Sequence, residues 1–254
     1  MPEGYSGRTD SSMVGPRFGG STPPPSFMSH KIIVVGDVHG RSDWEKVLEK
    51  EPDFDKFVFI GDYFDSFNIH SEKIYENFRK ILNFKLTNLE KVVLLCGNHD
   101  YHYLEFTPDR YSGWQAPTAL ALNNIIEKAI SDGLILGAYS HEDILFTHAG
   151  LSDEWSKAHG VKFAEEINKS LMEKPEIFEF FRGDYSHCGN HVLQSPIWVR
   201  PDALMSSLPT GLRQVVGHTT SDKILERNGV WFIDAPESKE YLSIEDGIIN
   251  IKKI

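Results

Sequence analysis

The sequence predicts an α/β protein, a mixed β sandwich flanked by helices, and two patterns carry that expectation. First, five short apolar runs each end in Gly or Thr and then a polar residue able to bind metal. Residues 32–35 lead into Gly36-Asp37, 57–60 into Gly61-Asp62, 92–96 into Gly97-Asn98-His99, 144–146 into Thr147-His148, and Val215-Val216 into Gly217-His218. Continuous apolar runs of this length suit strands buried on both faces, and glycine lets the backbone turn sharply where a strand ends. Second, the tail changes to short strand-like runs at 223–226, 231–234, 241–244 and 248–251. Asn228-Gly229 and Asp246-Gly247 separate two pairs of them, and both dipeptides favour tight hairpins.

Between the runs lie stretches of helical character at 42–50, 71–86, 118–131 and, as one longer block, 153–181. Ile74, Phe78, Ile81 and Leu82 recur at helical spacing and are expected to face a sheet. Phe163, Ile167, Leu171, Ile177 and Phe180 are expected in the core. Strands and helices in this order pack as layers.

With 254 residues and 40% apolar content the chain has room for one α/β domain of ordinary size. Residues 28–254 are assigned to it. The first 27 residues are rich in Gly, Ser and Pro, include Pro23-Pro24-Pro25 and show no periodicity. They read as a flexible leader or an appended segment, with Met28 a candidate native start. A net charge of −11, from 37 acidic and 26 basic side chains, argues against a general attraction to nucleic acid. Cys96 and Cys188 are too few for a disulfide framework and lack the spacing of a thiolate zinc site, which fits a reducing, cytoplasmic setting. Cys96, inside an apolar run, reads as an inert core thiol. No apolar run approaches the roughly 20 residues of a bilayer span, and the N-terminus lacks a signal-peptide pattern, so no membrane association is expected.

Asp37, His39, Asp62, Asn98, His148 and His218 together supply carboxylate, amide and imidazole donors, a set suited to Mn, Fe, Zn or Mg. A bridging carboxylate can hold two such ions about 3.5–4 Å apart, acidify the water between them and clamp both oxygens of an in-line displacement. A lone aspartate after a strand is ordinarily a turn-former or helix cap, so the inference rests on recurrence rather than on any single position.

In their order and spacing, Gly36-Asp37-Val38-His39-Gly40, Gly61-Asp62-Tyr63-Phe64-Asp65, Gly97-Asn98-His99-Asp100, His148-Ala149-Gly150 and Gly217-His218 resemble the signature blocks of the calcineurin-like metallophosphoesterases. The resemblance is nearest to the phosphoprotein phosphatase branch and its bacterial and phage members. It implies a four-layer α/β/β/α fold and two divalent ions, manganese foremost, with Fe, Zn, Mg, Ni or Co as alternatives. By the same resemblance Asp37 and His39 bind the first metal, Asp62 bridges, and Asn98, His148 and His218 bind the second. His99 would be the general acid, Asp65 would orient it, and Arg200 would grip the phosphate. Two departures stand out. Ser66 and Phe67 follow Asp65 where the protein phosphatases continue Asp-Arg-Gly, so a second phosphate-gripping arginine must come from elsewhere, with Arg182 and Arg41 as candidates. Asp100 stands where those phosphatases have Glu.

Six other histidines, His70, His102, His141, His159, His187 and His191, occupy no family-matched position and are expected on the surface or in loops. Trp198 is assigned equally to the site rim and the core. Asp234 is expected either to support a metal-bound histidine or to close a turn. The leading functional expectation is hydrolysis of phosphate monoesters in proteins, on serine, threonine or tyrosine. The alternatives are a hydrolase of dinucleoside polyphosphates or other small phosphorylated metabolites, a nucleic-acid phosphodiesterase, and a binding-only scaffold. The scaffold would be marked by missing ligands, and none is missing. The residues leave oligomeric state open.

Overall fold

Each of the five apolar runs becomes a strand, and the strands fall into two sheets. A computed structural model describes residues 30–107, 110–116, 118–183 and 189–254, so the leader assigned to 1–27, together with His187 and Cys188, lies outside the described residues. β1 (Lys31–Val35), β2 (Lys56–Phe59), β3 (Val92–Leu95) and the two-residue β4 (Ile135–Leu136) run parallel, with Val35 opposite Phe59 and Phe59 opposite Leu94. β10 (Glu240–Glu245) pairs antiparallel with β1, and β11 (Ile248–Lys253) closes that six-stranded sheet. In the second sheet β6 (Ile144–Thr147), β7 (Arg213–Val216) and β9 (Val230–Phe232) are parallel. β5 (Ala138–His141) and β8 (Leu225–Arg227) flank them antiparallel.

Alternation along β1 shows why the strands read as continuous apolar runs. Ile32 and Val34 join Val58, Ile60, Phe146 and Val215 in a core between the two sheets. Ile33 and Val35 point the other way, into a core shared with α1 (Asp43–Lys50), α2 (Ser71–Thr87) and α4 (Ala119–Ser131). Both faces of the strand are therefore buried, as its composition demanded. On the outer face of the second sheet Val216, Val230 and Phe232 pack against Ala203 and Leu204 of α7 (Pro201–Ser206). Helices thus cover both outer faces, giving the expected four layers. Both dipeptide hairpins form, joining β8 to β9 and β10 to β11. Asn228, Gly229, Asp246 and Gly247 all adopt positive φ, the conformation a two-residue hairpin of this kind requires.

The block at 153–181 is not one helix. α5 (Asp153–His159) begins where the Ser152 hydroxyl accepts the Trp155 N–H, and it stops at Gly160, which turns left-handed at φ 66°. α6 (Ala164–Glu173) and a 3-10 turn (Pro175–Phe178) follow. Ile167 and Leu171 are core residues as expected, but Phe163 caps α6 and is 57% exposed, and Phe178 is fully buried while its neighbour Ile177 is only partly so. The break at Gly160 resets the helical phase, which is why one continuous stripe misplaces Phe163. β4, β5 and α7 carried no sequence signal because each is short or half polar.

Glu51, just past α1, is 6% exposed and gathers the Lys31 ammonium, the Lys252 ammonium at 2.9 Å and the Tyr241 hydroxyl at 2.9 Å. Burial alone would raise its pKa, but these three donors hold it at about 2, below the usual 4.5. A depressed carboxylate contributes stability above its unfolded pKa and loses it as pH falls through the folded value. Glu51→Gln should therefore cost about 2–3 kcal/mol near neutrality. Urea midpoints of the two proteins should converge as pH falls from 4.5 toward 2.

Candidate metal centre

Five parallel strands deliver their first loop residues to one point, where the C-terminal ends of the two sheets meet. Asp37 and His39 follow β1, Asp62 follows β2, Asn98 opens the single-turn α3 (Asn98–Tyr101) after β3, and His148 and His218 follow β6 and β7. His39, Asp62, Asp65 and His218 all have left-handed φ, between 43° and 65°. Non-glycine residues rarely adopt that region outside sites that over-determine it, and here it turns each side chain back toward the shared centre.

The ligand atoms of Asp37, Asp62 and His148 lie within 4.8 Å of one another. Asp62 Oδ2 is 3.4 Å from His148 Nε2 and 3.5 Å from His39 Nε2. Asn98 Oδ1 sits 3.0 Å from His148 Nε2 and 2.8 Å from His218 Nδ1. The outward nitrogens settle the tautomers. His148 Nδ1 donates to the Ile60 carbonyl at 3.0 Å, His218 Nε2 to the Trp198 carbonyl at 3.1 Å, and His39 Nδ1 to the carbonyls of Phe64 and Asp65, both at 2.8 Å. A neutral imidazole has one donor and one acceptor, so each ring turns its lone pair inward. Lone pairs of three histidines, one amide and two carboxylates then converge, an arrangement that repels itself unless cations lie between them. The residues present fit a metal centre, with the carbonyls holding each ligand's outer nitrogen.

The electrostatics show how strongly the cluster demands positive charge, which His148 supplies as a proton when no cation does. Burial, with the carboxylates of Asp234 and Asp62, drives the Asp37 carboxyl well above its usual range. Burial opposes ionisation of Asp62 too, but the imidazoles of His148, His99 and His39 hold it well below. His148 is buried, yet Asp62 and Asp37 raise it to about 10, whereas burial, His148 and the Arg200 guanidinium push His218 well below its usual value.

Two glycines leave room for the carboxylates. A Cβ on Gly217 would lie 2.0 Å from Asp37 Oδ1, and one on Gly97 would lie 2.1 Å from Asp62 Oδ1 and 2.6 Å from its backbone nitrogen. Gly97→Ala should therefore displace Asp62, lower bound metal and reduce kcat by about 10²-fold, the cost of an ångström-scale misplacement. Metal content and turnover measured on one preparation check this.

His99 stands beside this cluster. Its backbone N–H donates to Asp62 Oδ1 at 2.9 Å, and its Nδ1 donates to Asp65 Oδ2 at 2.8 Å. Although burial disfavours its charged form, Asp62 and Asp65 raise its pKa. Arg200 caps α7 and donates from Nη1 to the His218 carbonyl at 3.2 Å and to Thr219 Oγ1 at 3.0 Å, so its guanidinium lies at the centre's edge. Of the two candidate second arginines, Arg41 donates to the Asp37 carbonyl at 2.7 Å, whereas Arg182 is exposed. Trp198 is buried in the core, and its backbone carbonyl accepts the His218 Nε2 proton. Asp234 is buried near Asp37, and its Oδ2 accepts the Thr220 hydroxyl.

Sequence reasoning undervalued two residues. Asp100 is fully buried and accepts the backbone N–H groups of Asp62, Tyr63 and Gly97, each at 2.8 Å, so it ties the second block to the third. Burial and Asp62 push its carboxyl up to about 8 despite those donors. His102 was expected on the surface or in a loop. It lies in the turn that follows α3 but is completely buried, with Nε2 2.7 Å from Asp65 Oδ2. No motif marks it, since only folding brings residue 102 back against residue 65. Of the others in that group, His70 and His159 are exposed, and His141 and His191 are partly so, as expected.

Known proteins place the same residues in a family. The calcineurin-like phosphoesterase model matches residues 30–233. The serine/threonine-protein phosphatase 4 catalytic subunit of Eremothecium gossypii is 26% identical over 209 residues, 80% of this chain and 60% of that one. The symmetrical bis(5'-nucleosyl)-tetraphosphatase of Vibrio cholerae is 28% identical over 152 residues, 56% of this chain and 52% of its own length. The chain thus spans less than two thirds of the curated relatives it matches. Among solved structures, a cold-active protein-tyrosine phosphatase of a Shewanella species superposes with a TM-score of 0.62 at 21% identity, covering 87% of this chain and 77% of that one. A Saccharomyces cerevisiae protein serine/threonine phosphatase superposes at 0.59 with 14% identity, covering 89% and 80%. These two share the fold. With the family model spanning every ligand block from Asp37 to His218, the chain belongs to the calcineurin-like phosphoesterases.

Proposed function

We propose that this protein is a metal-dependent phosphoesterase that hydrolyses phosphate monoesters, with phosphorylated proteins as its leading substrate class. One observation carries the reading: inward-facing lone pairs of His39, His148, His218 and Asn98 converge on the Asp37–Asp62 pair, beside an Asp65-bound imidazole. Asp37 and His39 are assigned the first divalent ion, Asp62 both ions, and Asn98, His148 and His218 the second. When bound, such a pair supplies an acidified water nucleophile and positive charge against the phosphate oxygens. His99, its Nδ1 proton committed to Asp65, keeps Nε2 for proton donation to the leaving oxygen. Arg200 offers the planar fork that matches two phosphate oxygens. Manganese is the proposed occupant. A reducing cytoplasm is the proposed setting, in keeping with Cys96 as a buried free thiol whose pKa burial raises. Among the described residues no helix is long and apolar enough to cross a membrane.

The similarity to a protein phosphatase catalytic subunit over 80% of this chain supports protein monoesters. A second reading, hydrolysis of dinucleoside polyphosphates, is supported by Ser66 in place of the usual arginine and by the Vibrio tetraphosphatase match. The deciding experiment begins with chelator-stripped protein and p-nitrophenyl phosphate. Activity should be absent, then return with added Mn, and a protein that binds no metal sinks the proposal. Turnover of phosphopeptide against dinucleoside tetraphosphate at equal enzyme then separates the two readings.

A further inference from the structure

Tyr63 and Phe64 turn inward after Asp62, each ring packing against Phe78 of α2, and the next aromatic of that loop does the opposite. Phe67 is 83% exposed, the most exposed large apolar side chain among the described residues. Ser66 Oγ accepts the Asn68 N–H at 3.3 Å, a tight turn that sets Phe67 at its apex. A single exposed apolar side chain is ordinary on a protein surface, but the place of this one is not. Two residues earlier, the Asp65 carbonyl accepts His39 Nδ1 at 2.8 Å and Asp65 Oδ2 accepts His99 Nδ1 at 2.8 Å, so the loop starts in contact with the ligand His39 and the imidazole of His99. Two residues of chain span at most about 7 Å, which keeps the Phe67 ring at the rim of the centre. Ser66, Phe67, Asn68 and Ile69 carry no charge, so this stretch offers a substrate a ring face rather than a grip on a second phosphate. Ile69 lines an open cavity of about 460 Å³ that begins at Gly40, the residue after His39. Its charged lining has both signs, Arg41, Lys73 and Lys80 with Asp43 and Glu76, which suits a polypeptide better than the uniform negative charge of a polyphosphate.

We propose that Phe67 determines specificity for aryl phosphates, phosphotyrosine in a polypeptide chain, by packing against the ring that carries the ester oxygen. The proposal deepens, and rests on, the reading of this centre as a phosphate monoester hydrolase. In phosphotyrosine the ring is bonded directly to that oxygen, so with the phosphate at the metals the ring lies within one ring's length of them. A side chain from this loop can meet it there, edge-to-face or offset, with centroids about 4.5–7 Å apart. Phosphoserine offers only a methylene at that point and has no ring to pack. In a dinucleoside polyphosphate a ribose and one or more phosphates separate the base from the cleaved anhydride, which carries it beyond the apex of the loop. The residues flanking the tyrosine then run into the cavity beside Gly40.

Because Phe67 is exposed, Phe67→Ala should fold and should match the parent in thermal midpoint and metal content. In the full, manganese-loaded chain it is expected to lower kcat/KM for a phosphotyrosine peptide about three- to tenfold, mainly through KM, the range a single aromatic pair is worth. For the phosphoserine peptide of the same sequence the change should stay below about twofold, and Phe67→Trp should restore the rate with phosphotyrosine. Inhibitor binding removes leaving-group chemistry from the comparison. The Ki of benzylphosphonate should rise by about the same three- to tenfold in Phe67→Ala, and that of methylphosphonate by less than about twofold. Equal changes for both peptides, or for both phosphonates, would overturn the proposal. A larger loss with dinucleoside tetraphosphate than with the phosphotyrosine peptide would overturn it too, since the ring would then serve a nucleobase. A parent that holds two metals and hydrolyses neither peptide nor p-nitrophenyl phosphate removes the monoester reading and the proposal together. Hydrolysis of monoesters without the difference between aryl and alkyl substrates removes the role of Phe67 alone.

Discussion

Asp62→Asn is expected to abolish turnover, lowering kcat by at least about 10³-fold, and to strip metal from the site. The substitution is nearly isosteric, so its effect isolates charge. An amide oxygen in the place of Oδ1 still accepts the His99 N–H, now at 2.9 Å, and the loop keeps its anchor. At the other position an NH2 replaces an anionic oxygen and faces His148 and His39, whose inward nitrogens become its hydrogen-bond acceptors and so cease to be free for a cation. Losing the attraction between the Asp62 carboxylate and the imidazoles of His148, His99 and His39 should leave the metal-free protein less stable than the parent near neutrality. Metal content by atomic emission, thermal unfolding without metal, and p-nitrophenyl phosphate turnover make the test. Two ions retained with activity within tenfold of the parent would remove Asp62 from its bridging role.

His99→Asn should do the reverse, retaining metal while slowing the chemical step by about 10²–10⁴-fold, the range general acid catalysis contributes. The hydrogen bond from His99 to the metal cluster is made by its backbone N–H to Asp62, a bond any residue but proline can make, and its ring meets His39 edge-on with centroids 5.3 Å apart. Its ring is committed to Asp65, away from the inward lone pairs of the other histidines. Loss of the ring therefore removes a proton donor and leaves the ligands in place. If metal content falls as far as in Asp62→Asn, the division between ligands and proton donor is wrong.

The two variants also mark how far the sequence could be read. Every proposed ligand sits one to four residues past a strand whose apolar run was visible, so Asp37, His39, Asp62, Asn98, His148 and His218 were legible from local order. The hairpins at Asn228-Gly229 and Asp246-Gly247 were equally legible, since the dipeptide itself dictates positive φ. Phe163 was misread because Gly160 broke the helical phase, and α7 was missed because six residues are too few to show a period.

What the sequence alone determined was the layered fold, the order of the ligand blocks and the class of chemistry, because runs, turns and donor types are properties of neighbouring residues. The tertiary structure decided the rest. It brought His218 within hydrogen-bond reach of Asp37, 181 positions away, and set the direction of each histidine's lone pair through the carbonyls of Ile60, Phe64, Asp65 and Trp198. It also seated Asp100 beneath two loops and His102 against Asp65. The physical reason is that a hydrogen bond depends on distance and angle in space. No pattern along the chain encodes which donor will meet which acceptor once the two sheets have packed.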